Sequence, residues 1–170
     1  MQLIGHEYIQ QTRAYCDYLE EHFIHIAKAF EEVTEACRTS VYFANAGNYQ
    51  LLWQQVKLHD ISKFSAEEFT QYRNKFFPLI DDQSHVTDFD KAWEHHYLVN
   101  THHWESATTE LDIVHMVIDW TAMSYKFGGT AQSYYEANQH KIKLSPILTE
   151  FMYTIFNYLK DSHGQSYIKI

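Results

Sequence analysis

Only 5 glycines and 2 prolines interrupt these 170 residues, and apolar side chains recur at intervals of three and four between them. Glycine and proline are the residues that most disfavour helix interiors, so their scarcity leaves long stretches free to stay helical. Residues 6–38 place Tyr8, Tyr15, Leu19, Phe23, Ile26, Phe30, Val33 and Cys37 mostly three or four apart. That predicts one long helix or two joined end to end. "NAGN" at 45–48 reads as a turn, and a further helix runs through Leu51, Leu52 and Val56 to about Lys63. Ser65 and Glu68 form a capping-box pattern, opening a short helix that ends before Pro78. The polar run "DDQSHVTD" at 81–88 is a loop, followed by a helix from about Phe89 towards Trp104. Thr109 with Asp112 starts another, which reaches Phe127 before "GG" stops it. Thr130 caps a helix to about Lys141, and Ser145-Pro146 opens a last one to about Lys160. No alternating pattern competes, so the expected fold is all-α, a single domain over residues 1–170.

Composition narrows the function. Hydrophobic residues make up 45% and aromatics 16%, enough to pack a core. The formal charge of −9 argues against binding nucleic-acid duplexes through bulk positive charge. A small phosphate ester stays compatible, because bound cations would invert the local field. Cys16 and Cys37 lie in no metal-ligand spacing and read as two buried thiols in a reducing compartment. "MQLIGHEYIQQ" lacks the basic-then-apolar pattern of a signal peptide, and no apolar run reaches the roughly 20 residues of a membrane helix. A cytoplasmic protein with no membrane contact is expected; its oligomeric state is left open.

Histidine is the outlier, with 12 copies. "KLHDISKF" at 57–64 puts His59 beside Asp60, with Lys63 one turn on. Neighbours on a helix project about 100° apart, so such a pair grips one ion only if other elements complete the shell. "AWEHHYLVNTHHWE" at 92–105 supplies His95, His96, His102 and His103. In a helix His96, Asn100 and His103 would share one face, with His95 and His102 on a neighbouring stripe. "DIVHMVIDW" sets Asp112, His115 and Asp119 on one face, and the long first helix carries His22 and His25. Imidazole and carboxylate drawn from four helices describe a bundle with a central metal site. Trp93, Tyr97 and Trp104 either stack a base near that site or fill the core.

The order His, His-Asp, His, His, Asp resembles the HD-domain superfamily of metal-dependent phosphohydrolases. "HDISKFSAEEFTQY", "FDKAWEHHYLVNTHHWE", "MVIDW" and "YYEANQHKIKLSP" resemble, more specifically, a bacterial and phage family known as domain of unknown function 5662, over roughly residues 20–148. The resemblance to the superfamily implies an HD-like helical bundle. It implies His59 and Asp60 as the signature pair, Asp119 as the closing aspartate and His25 as the opening histidine, with His22 its rival. His96, His102 and His103 match the extra histidines of two-metal members. His115 stands where relatives carry an acidic residue, and neither it nor His95 receives a role.

The mechanism implied is hydrolysis of a nucleotide or related small phosphoester. One or two divalent ions (Mn, Fe, Zn, Co or Mg) would be held by His25, His59, Asp60 and Asp119, and by Asp60, His96 and His102 or His103. Asp60 would bridge them, and Lys63 would neutralise charge on the phosphoryl group. His6, His85, His140 and His163 should stay peripheral. Two other classes remain open: a di-iron oxygenase of the HD type, and a non-catalytic, metal-stabilised module that binds a ligand or a host factor.

Overall fold

The computed structural model describes residues 4–79 and 86–166, which contain no β-strand. The chain runs α1 (Ile4–Ala36), α2 (Val41–Ala44), α3 (Ala46–Val56), a 3-10 turn (Ile61–Phe64), α4 (Phe69–Phe76), α5 (Val86–Val99), α6 (Glu110–Phe127), α7 (Ala131–Asn138) and α8 (Pro146–Ser166). These residues are all-helical, as the apolar spacing requires. Of the expected span 6–38, all but the last two residues lie in one unbroken helix, not two, ending at Ala36.

The helices gather into two compact units, each assembled from two stretches of chain. One comprises residues 1–23 and 60–100, the other residues 24–59 and 101–170. In the first, Tyr15 and Leu19 of α1, Tyr72 of α4 and Ala92 of α5 form a small core, edged by Phe69, Phe77 and Phe89. The second holds a much larger core: Ile26, Phe30 and Val33 of α1, Leu52 and Val56 of α3, Ile113 to Ile118 of α6, and Met152, Ile155 and Phe156 of α8. Each fully buried Leu, Ile or Phe contributes about 1.5–3 kcal/mol relative to exposure. α3, α7 and α8 all pack on α6, so Asp112 through Ile118 are buried without a break and His115 is enclosed with its apolar neighbours.

Helix ends follow local chemistry where the caps are local. The Thr109 hydroxyl accepts from the Asp112 amide, and the Asp112 carboxylate accepts from the Thr109 amide, a complete capping box. Thr130 and Ser133 repeat it for α7. Gly128 closes α6 at φ 81°, a conformation that glycine adopts without strain. Elsewhere the structure departs from expectation. "NAGN" is no turn: the Asn45 side chain accepts from the Gly47 amide and caps α3 directly. α3 ends at Val56, not near Lys63, and His59-Asp60 lies in a turn. Ser65 and Glu68 make no capping box; α4 starts at Phe69 with no side-chain cap from Glu68. α5 begins at Val86, inside the expected loop, and residues 81–85 of that loop lie outside the described residues. α5 stops at Val99, so His102 and His103 follow the helix rather than extend it. Cys37 is buried, whereas Cys16 is exposed, correcting the reading of two buried thiols.

Candidate metal-binding clusters

At Asp60 the backbone takes φ 56°, ψ 16°. It is the one non-glycine with positive φ among the described residues. Aspartate tolerates this left-handed conformation better than most residues, and such backbone is held in place by what surrounds it.

In the second unit His59 meets two other imidazoles. Its Nδ1 lies 3.0 Å from His115 Nε2. The His102 ring lies 4.4 Å from that of His59 and 4.6 Å from that of His115. One nitrogen from each of His59, His102 and His115 falls within a 4.8 Å circle, and all three residues are buried. The opposite nitrogen of His59, Nε2, lies 3.7 Å from Asp119 Oδ1. His103 stacks beside His102 at 4.3 Å and is half-buried. Two imidazole nitrogens on one tetrahedral zinc stand about 3.3 Å apart, given Zn–N bonds of about 2.0–2.1 Å. The His59–His115 spacing is close to that. Three buried imidazoles with a carboxylate at the far nitrogen of one of them is a donor set that fits a divalent transition ion. This buried group could hold a metal.

In the first unit Asp60 is 2% exposed and collects cations. Lys63 Nζ donates to Asp60 Oδ2, His22 Nε2 lies 3.6 Å from the same oxygen, and His96 Nε2 lies 3.2 Å from Oδ1. Behind His96 sits Glu68, with 0% exposure. His96 Nδ1 is 2.8 Å from Glu68 Oε2, and His95 Nδ1 is 2.7 Å from Oε1. Burial pushes the Glu68 carboxyl up, but hydrogen bonds from His96, Ser62 and His95 outweigh it and hold the group below the ordinary carboxylate range. Burial pushes His96 down, yet its hydrogen bonds to Asp60 and Glu68 raise it above the usual imidazole value. Trp93, partly exposed, stacks on the His96 ring with centroids 5.8 Å apart.

Every residue proposed from sequence can now be placed. His59 and Asp119 meet in one unit, with His102 and His103 in the same cluster; Asp60, Lys63 and His96 meet in the other. His22 is the histidine beside Asp60. His25 is half-buried and turns its edge to the Tyr125 ring at 5.5 Å. Trp104 packs on the larger core, away from any stacking role. His6 and His140 are exposed; His85 and the side chain of His163 lie outside the described residues. Two residues carry more than the sequence reading gave them. His115 is a full member of the imidazole group, and Glu68 anchors two histidines. A signal for Glu68 existed: it shares a helical face with Tyr72, four residues on, so an acid sat on a buried stripe.

A family model matches residues 11–158. The chain belongs to the family of unknown function DUF5662. That match covers the His59-Asp60 pair, both histidine runs and Asp119, so both clusters lie inside the shared region of DUF5662. It does not extend to the likeness with HD-type phosphohydrolases. No curated protein and no solved structure matches the chain. Among the described residues no helix is long and apolar enough to cross a membrane.

Proposed function

We propose that this DUF5662 protein is a metal-dependent phosphohydrolase of HD-like type, acting on a nucleotide or related small phosphoester. The observation that carries the reading is the buried group of His59, His102 and His115, which brings one ligand nitrogen from each to within 4.8 Å of the others. A bound divalent ion would supply Lewis acidity and activate water near neutral pH. The chain's own residues would do the rest. Asp119 would orient His59 through its far nitrogen. Lys63, already drawn in by Asp60, is a compact cation suited to a phosphoryl oxygen. Trp93, stacked on His96 and 37% exposed, would offer part of its ring to a base.

Protein purified without chelator should contain a transition metal by elemental analysis. Supplied with Mn, Co, Zn or Mg, it should release phosphate from some member of a panel of nucleotides and small phosphoesters, without oxygen. Asp60→Ala should abolish release; Lys63→Ala should keep the metal and turn over more slowly. Bound metal with no release from any substrate would favour the non-catalytic module. Oxygen uptake by iron-loaded protein, with no phosphate released, would favour the oxygenase.

A further inference from the structure

Glu68 is a buried carboxylate at the N-cap position of α4 whose side chain makes no cap bond; its two oxygens are divided between two adjacent histidines. Both ring nitrogens of His96 face a carboxylate, Nδ1 at 2.8 Å from Glu68 Oε2 and Nε2 at 3.2 Å from Asp60 Oδ1, and Ser62 Oγ lies 3.3 Å from Nδ1. A carboxylate accepts and cannot donate, so the two compete for the proton of a neutral ring, and the shorter contact gives Nδ1 the stronger claim. Asn100 Nδ2 also lies 3.2 Å from His96 Nδ1. Its two protons are already committed, one to Ser62 Oγ at 2.8 Å and one to the His96 carbonyl at 2.8 Å. Asn100 therefore does not compete to donate to Nδ1. Ser62 accepts from Asn100 and donates to Glu68, closing the network on the same carboxylate.

We infer that Glu68 is a positioning residue: of the two carboxylates that face His96 it makes the shorter contact, 2.8 against 3.2 Å, and so holds the proton of the neutral ring on Nδ1 and directs Nε2 towards Asp60. An imidazole whose outer N–H is taken by a carboxylate is the arrangement that makes the inner nitrogen a well-oriented, more basic donor to a divalent ion. Trp93 on one face and Tyr72 on another, with ring centroids 5.8 and 5.6 Å from His96, restrict ring rotation further. His95 occupies the second oxygen of Glu68 and stays part-exposed; its bond fixes the carboxylate without facing Asp60. The role rests on the metal reading above only for its second test.

The first test needs no metal. In 15N-labelled, metal-free protein, long-range proton–nitrogen spectra recorded above the imidazole titration range should show His96 as the Nδ1–H tautomer. Finding Nε2–H in the unmodified protein overturns the inference, and this readout stands even if a Glu68 variant does not fold. The second test uses Zn2+ in chelator competition. Glu68→Gln keeps the volume but offers one acceptor where two imidazoles need two. It should shift His96 towards Nε2–H and weaken zinc about 10–100-fold, the usual cost of losing an outer carboxylate, with the helical spectrum unchanged. His95→Ala should leave zinc affinity within about threefold. Glu68→Gln binding zinc as tightly as the unmodified protein overturns the positioning role. If the unmodified protein binds no zinc or other divalent ion, the hydrolase reading fails, and the tautomer alone decides the role of Glu68.

Discussion

The cluster around His59 is built almost wholly of imidazole, whereas the cluster around Asp60 alternates carboxylate, imidazole and ammonium. In the first, His59, His102 and His115 bring nitrogens within 4.8 Å of one another, and His59 Nδ1 and His115 Nε2 share a 3.0 Å hydrogen bond. In the second, carboxylates face an ammonium and imidazoles: Lys63 and His22 at Asp60, His95 and His96 at Glu68. The chain thus carries one constellation of imidazoles and another in which carboxylates alternate with their partners. The difference teaches how to read buried polarity. Carboxylates beside an ammonium and imidazoles supply part of their own compensation, while a set of imidazoles offers donor nitrogens to a ligand of complementary chemistry.

The largest effect should come from breaking the imidazole group. His115→Ala removes one of three donors and should lower divalent-metal affinity by more than the roughly 10–100-fold that an outer-shell change costs. Equilibrium competition against a chelator would measure it. His25→Ala, by contrast, removes an edge contact to Tyr125 and should leave affinity unchanged. If His25→Ala strips the metal and His115→Ala does not, the imidazole group is not the metal site.

Much of this was legible in the sequence, and the exceptions share a cause. The start of α6 was readable because Thr109 and Asp112 satisfy each other within four residues. The same local pattern misled at Ser65 and Glu68. There the carboxylate is claimed by imidazoles 27 and 28 positions away, a tertiary bond that outweighs a cap. His22 and His25 sit three apart on one helix, and no local rule separates them. Only the packing of α1 puts His22 beside Asp60 and His25 beside Tyr125. His115 was visible as one of a face with Asp112 and Asp119, but its partners come from residues 59 and 102. The left-handed backbone at Asp60 leaves no composition signal, because aspartate is as common in caps and ordinary turns.

A smaller effect separates the two units by how their buried oxygens are satisfied. Asp112, 3% exposed, accepts from Thr108 and Thr109 amides at 3.0 and 2.9 Å and from the Thr109 hydroxyl at 2.7 Å. Burial pushes its carboxyl up, but these bonds and one from Thr101 outweigh burial and hold it below the ordinary aspartate value. A carboxyl depressed in the folded state adds stability that is fully present above its unfolded pKa of about 3.9. That contribution fades as pH falls through the lower folded value. Asp112→Asn should therefore cost about 1 kcal/mol at neutral pH, in the range for a lost helix cap, and should lose less further stability than the parent below about pH 4. Denaturant titrations at several pH values would show it. Parallel pH profiles would mean that the carboxylate adds nothing beyond a neutral amide.

The smallest effect has the opposite sign and belongs to the unit around Asp60. Tyr72 is 5% exposed, and its hydroxyl is buried with no hydrogen-bond partner in the protein. Tyr15, on the same small core, is in the same position. Burial, then the charges of Glu68 and Asp60, push the Tyr72 phenol far up, so it stays neutral at every working pH. Its ring still packs on Phe89 and His96, and that contact is retained by phenylalanine. Leaving a buried hydroxyl unsatisfied costs about 1–3 kcal/mol, so Tyr72→Phe removes a penalty without opening a cavity. Stability should hold or rise by up to about 1 kcal/mol, or about 2–4 °C in Tm for a chain of this length. Asp112→Asn and Tyr72→Phe each delete polar capacity from a buried site and should move stability in opposite directions. A loss of more than about 1 kcal/mol on Tyr72→Phe would show that solvent bridges the phenol to its carboxylate neighbours, and the contrast between the two units would then narrow to their donor chemistry alone.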